Sequence, residues 1–185
     1  MITDDCNRIK SATAELVPCN AVETYFIPFV DHPTYKFNIN ETQLTADWKP
    51  PVKIVIEKKP NTYVNNEQIK EQINKVIIDY FSLNEQKLGN IINISELYKQ
   101  LIELGYIESL KTVNIPVDDP YNTFSIEGLS FACFSPTPVG GKDFEIFTHA
   151  KKLQPFQFAV LYASTLLDLI EIENDDTFNV TNTGF

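Results

Sequence analysis

The sequence predicts an α+β fold: a small strand-helix-strand-helix-strand unit with additional, mostly β, flanking segments. Three observations carry this reading. Apolar residues recur at helical spacing through residues 69–81, they alternate in several short stretches on either side, and Pro18, Pro28, Pro33, Pro50 and Pro51 exclude long helices from the N-terminal part.

Residues 1–51 read as an extended segment. Tyr25, Phe26, Ile27, Phe29, Val30, Tyr35, Phe37 and Ile39 are too many apolar side chains for a solvated linker. The segment is therefore expected to pack on the domain or on a neighbour. Within it, Tyr35 to Ile39 alternates as a short strand.

The unit at 52–115 follows. Val52, Ile54 and Ile56 alternate with Lys53, Val55 and Glu57, giving a half-buried strand, and Pro60-Asn61 suits the turn after it. Asn65 or Asn66 is placed to cap a helix, with Glu67 in the first turn. Ile69, Ile73, Val76, Ile77, Tyr80 and Phe81 then share one helical face. After Gly89, Ile91 to Ile94 reads as a short strand, and Ser95 is expected to cap a second helix with Leu97, Tyr98, Leu101, Ile102 and Leu104 inward. Gly105 stands where a helix end needs a left-handed residue, and Tyr106 to Ile115 is extended. Such a unit is too small to bury both helices by itself.

Residues 116–185 return to β character and form a candidate oligomerisation region. Phe124 and Ile126 alternate, as do Leu129, Phe131 and Cys133, with Gly128 between them. Phe144 to Phe147 and Phe156 to Tyr162 read as further strands, but residues 161–172 are apolar enough to suit either a helix or a strand. Ile170 and Ile172, with Phe178 and Val180 after Asn174-Asp175-Asp176, suit a terminal hairpin.

Composition narrows the function. Apolar residues at 43% against 22% charged describe a chain that buries a core. A formal net charge of −10 argues against binding nucleic-acid phosphates, which takes clustered Lys and Arg. The acidic C-terminal stretch with Asp168, Glu171, Glu173, Asp175 and Asp176 reads as a solvated face. No apolar run is long enough to span a bilayer. Cys6, Cys19 and Cys133 contain no Cys-x-x-Cys pair and fit a reducing compartment.

Each candidate for chemistry has a plainer reading. Asp118-Asp119 precedes Pro120 and Asn122, which makes it a turn rather than an acid/base pair. A nucleophilic Cys133 would have to use His32 or His149, and it stands between Phe131 and Phe134 with no basic group nearby in sequence to lower its pKa. Val139-Gly140-Gly141-Lys142 lacks the glycine offset and the Ser or Thr of a phosphate loop. The histidines and cysteines have no zinc spacing. No enzyme, cofactor or metal is expected.

What stands out is the aromatic content, thirteen Phe and eight Tyr. Large aromatic side chains serve cores and subunit contacts alike. Phe131, Phe134, Phe156, Phe158 and Tyr162 are the candidate interface residues.

Val52 to Glu57, Val64 to Ile73, Ile78 to Phe81, Lys87-Leu88-Gly89 to Ile92, Ile94-Ser95-Glu96-Leu97 and Ile102 to Gly105 follow an order that resembles the baseplate J-like family. There a strand leads into a helix ending in an aromatic residue, then a Leu-Gly turn, a capping Ser and a second helix closing near Gly. Where that family often has Pro-Gly-Val, this chain has Gly105-Tyr106-Ile107. The resemblance implies the C-terminal part of a longer baseplate wedge protein of a contractile-tailed bacteriophage, assembled in the host cytoplasm and resident in the virion tail. Its implied partners are copies of itself, as a homodimer or ring, and other wedge proteins. The alternative is a ligand- or carbohydrate-binding module of a phage tail, using Tyr, Phe and Asn side chains on β loops.

Overall fold

A computed structural model describes residues 21–30, 52–85, 87–114, 123–136 and 142–173. The expected strand at Tyr35 to Ile39, the Asp118-Asp119 turn, the Val139-Gly140-Gly141 run and the return strand with Phe178 and Val180 lie outside them.

The elements run in the order β1 (Val22–Pro28), β2 (Val52–Lys58), α1 (Asn66–Glu85), β3 (Ile91–Asn93), α2 (Ile94–Ile102), β4 (Ile107–Asn114), β5 (Phe124–Glu127), β6 (Phe131–Pro136), β7 (Lys142–Phe147), β8 (Ala150–Lys152), β9 (Gln157–Leu161) and β10 (Ile170–Glu173). The fold is α+β, and the strand-helix-strand-helix-strand unit is β2-α1-β3-α2-β4.

Two four-stranded sheets form the frame. Sheet one has the order β7-β6-β1-β9 and sheet two the order β10-β2-β4-β5. Both follow one plan: a central strand, β1 or β2, has a parallel edge strand on one side and an antiparallel neighbour on the other, which pairs antiparallel in turn with the outer strand. A two-stranded ribbon joins β3 to β8, a strand with no apolar pattern to announce it.

The helices form for the reasons their sequences give. Asn65 Oδ1 accepts the Glu67 N–H at 2.8 Å and starts α1, whose Ile69, Ile73 and Ile77 are wholly buried. The cap of α2 is Asn93, not Ser95: Asn93 Oδ1 accepts the Glu96 N–H at 3.1 Å, and Ser95 is already in the first turn, exposed. The helix therefore starts earlier than the Ser-Leu spacing implies. Gly105 follows it with φ +90°, as its place in the sequence requires.

The stretch at 161–172 is neither one helix nor one strand. Leu161 ends β9, a 3-10 turn occupies Leu167–Leu169, and β10 begins at Ile170. Ile170 and Ile172 pair in parallel with Ile54 and Ile56 of β2.

The flanks supply the cover that the middle lacks. Phe26 of β1, Phe131 and Cys133 of β6, Phe147 of β7 and Ala159 of β9 share one core with Ile54, Ile73, Phe81, Leu97, Leu101 and Leu110. Helix α1 contacts β9 of sheet one, β10 of sheet two and α2.

Candidate interaction surface on sheet one

Side chains alternate across a strand, so each sheet has two faces with different tasks. On the inner face of sheet one, Phe26 lies 5.3 Å from Phe81 of α1 and 5.6 Å from Phe147, and Phe81 lies 5.5 Å from Phe131, centroid to centroid. These rings anchor sheet to helix.

The outer face carries a second cluster of Ile27, Phe29, Ala132 and Phe134, with Tyr25, Ile146 and Tyr162 against it. Antiparallel pairing of Tyr25 with Phe134 brings their rings to 5.4 Å, stacked. Tyr162 closes the triangle, 5.8 Å edge-on to Tyr25 and 5.8 Å from Phe134. Phe158 and Val160 pair in parallel with Glu23 and Tyr25, which puts them on the same face. The Tyr25 hydroxyl donates to the Glu23 carboxylate, and this bond, reinforced by burial, pushes the Tyr25 phenol up to about 12. Burial also raises the pKa of Tyr162.

The five aromatic residues singled out by sequence separate. Phe134, Phe158 and Tyr162 share the outer face. Phe131 is fully buried on the inner face, and this placement withdraws it from any surface a partner could reach. Phe134, stacked on Tyr25, is 4% exposed and so is itself closed to a partner, while Phe158 and Tyr162 are half-buried. Phe156 precedes β9 and is 45% exposed. Its neighbour Pro155 lines, with Leu88, Gly89, Lys152, Leu153 and Gln154, a groove of 640 Å³. Tyr25, central to the triangle, is not among the five: Tyr25, Phe26, Ile27 and Phe29 are apolar without alternation, so no periodic signal marks it.

The arrangement offers ring faces and two phenol hydroxyls. Cys133 is buried on the other face, where desolvation pushes its thiol up to about 11 and away from the reactive thiolate. His149 is exposed in the turn between β7 and β8, where its carbonyl accepts the Ile94 N–H at 2.6 Å. Among the described residues no group of three or more His, Cys, Asp or Glu is placed to hold a metal ion, and no helix is long and apolar enough to cross a membrane. No family model, curated protein or solved structure matches the chain.

Proposed function

We propose that the chain is a structural assembly module, a baseplate wedge component of a contractile-tailed bacteriophage. It pairs with copies of itself and joins wedges into a ring around the tail hub. The observation that supports the reading is the element order β2-α1-β3-α2-β4, with Ile78 to Phe81 late in α1, Gly89 in the turn with φ +65°, Leu97 inside α2 and Gly105 just beyond it, while Asn93 rather than Ser95 caps α2.

In this role the module works mechanically. Contacts between copies hold the ring before attachment and are rearranged when the sheath contracts, which takes interfaces with two stable arrangements. Size-exclusion chromatography with light scattering at micromolar concentration is expected to find a dimer or larger species. A monomer throughout that range overturns the reading.

A second reading, a carbohydrate-binding module, is favoured by the half-buried Tyr25 and Tyr162 beside Glu23, since sugar rings stack on aromatic faces while carboxylates take their hydroxyls. A glycan array with bound spots, together with a glycan-dependent rise in melting temperature, would select it over assembly.

A further inference from the structure

The edge of sheet two has the features of a strand that changes owner. Strand β10 is only four residues long, Ile170–Glu173, and among the described residues pairs with β2 alone. Inward it contributes buried Ile170. Outward it is held by ion pairs, Glu171 with Lys53 of β2 and Glu173 with Lys111 of β4, the latter at 2.9 Å. All four side chains are between 32% and 51% exposed, so these pairs select the strand by charge while binding it weakly.

The chain just before β10 divides into an anchor and a pivot. The anchor is Leu166, wholly buried, whose N–H donates to Asn74 Oδ1 of α1 at 2.7 Å. The pivot is the 3-10 turn at Leu167–Leu169, whose Leu169 N–H donates to the Leu166 carbonyl at 2.8 Å. A 3-10 turn has poorer hydrogen-bond geometry than an α-helix, so that bond holds the pivot closed only weakly. Leu167 in the pivot is 38% exposed, an apolar side chain left in water where the chain turns.

We propose that β10 exchanges between two copies of this chain: each copy's Ile170–Glu173 adds to the β2 edge of the other, with Leu166 staying in its own body. The proposal rests on the assembly reading and names the surface through which the copies pair. The occupant is fixed by complementarity, because the Lys53 and Lys111 that receive Glu171 and Glu173 stand in the same places on every copy. Opened out, the stretch from Leu166 to Ile170 reaches about 13 Å. The two β2 edges must therefore lie close to a two-fold axis, and the two copies of Leu167 meet there and leave water. Exchange of an identical element makes a closed dimer at little cost, since every native contact is remade.

The test uses the register in which Glu171 stands beside Val55. Val55→Cys with Glu171→Cys, in a background of Cys6→Ser and Cys19→Ser, puts two thiols side by side whichever copy supplies β10. The concentrated protein is oxidised and run on a denaturing gel without reductant, alongside light scattering. In parallel, wild-type protein mixed from isotope-labelled and unlabelled chains, refolded together, is coupled by a carbodiimide at Lys53 and Glu171. A covalent dimer and mixed-label coupled peptides are the expected results, and Leu167→Asp lowers the dimer fraction severalfold without changing the monomer's melting temperature. Bonds only within one chain, in a protein that scatters as a dimer or larger, overturn the exchange and leave the assembly reading standing. Bonds only within one chain in a monomer overturn both, and no bond at all overturns the exchange.

Discussion

The Tyr80 hydroxyl ties α1 to β3 twice, accepting the Asn93 N–H at 2.7 Å and donating to the Asn93 carbonyl at 3.1 Å. Tyr80→Phe removes both bonds from a buried place and is expected to cost about 1–3 kcal/mol, read as a lower urea midpoint at unchanged slope. Tyr25 supports a prediction about pH. Its folded pKa of about 12 lies above its unfolded value near 10, so the unfolded chain loses that proton first. The stability it contributes is complete below pH 10 and is lost as pH climbs toward about 12. Melting temperatures measured across that range should fall more steeply for the wild type than for Tyr25→Phe. Cys133, with its thiol near 11, should stay unlabelled by a thiol reagent at pH 8 in the folded protein with Cys6→Ser and Cys19→Ser, and react once urea unfolds it.

Two glycines separate backbone conformation from crowding at the level of the elements. Gly105 and Gly89 both have positive φ, but a Cβ at Gly105 would meet nothing within 4 Å, whereas one at Gly89 would come within 3.1 Å of the Pro155 Cα. Gly105→Ala is expected to cost about 1–2 kcal/mol, and Gly89→Ala more, because backbone cannot swing aside; thermal melts of the two variants give the comparison. The same elements explain what the sequence disclosed. Helix α1 was legible because its inward face touches core along its length while Glu67, Glu71, Lys75 and Asp79 stay wet. Strand β1 was not, since Tyr25, Phe26, Ile27 and Phe29 are apolar on both faces and no alternation survives. Ala150-Lys151-Lys152 becomes a strand only because Ile91–Asn93 pairs with it, a tertiary cause that leaves no local trace. Residues 161–172 read ambiguously because they leave one sheet, cross the middle of α1 at Asn74 and enter the other.

The molecule as a whole is held by aromatic contacts that cross between layers. Phe81 of α1 touches Phe26 and Phe131 of sheet one and stands edge-on to Tyr80. Phe81→Ala is expected to cost about 3–5 kcal/mol in chemical denaturation, among the largest single losses this core can suffer. The candidate surface was half legible for a reason of parity. Phe131 and Phe134 stand an odd number of residues apart in one strand, so they could not share a face, while Phe158 and Tyr162 could. Which face the helices would cover was undecidable without the pairing of β1 between β6 and β9.

Both sheets take their parallel edge from the same late stretch of chain: β9 closes on β1, and β10 closes on β2 with partners such as Lys53 and Glu171 lying 118 positions apart. During synthesis, therefore, β1 and β2 emerge from the ribosome long before their edges can be filled. Pairings this distant are slow to form, and an unfilled edge strand is an invitation to another chain. Crowded ribosomes making this protein on one messenger would hold several such edges close together, so the yield of well-folded chains should fall as translation rate and local concentration rise.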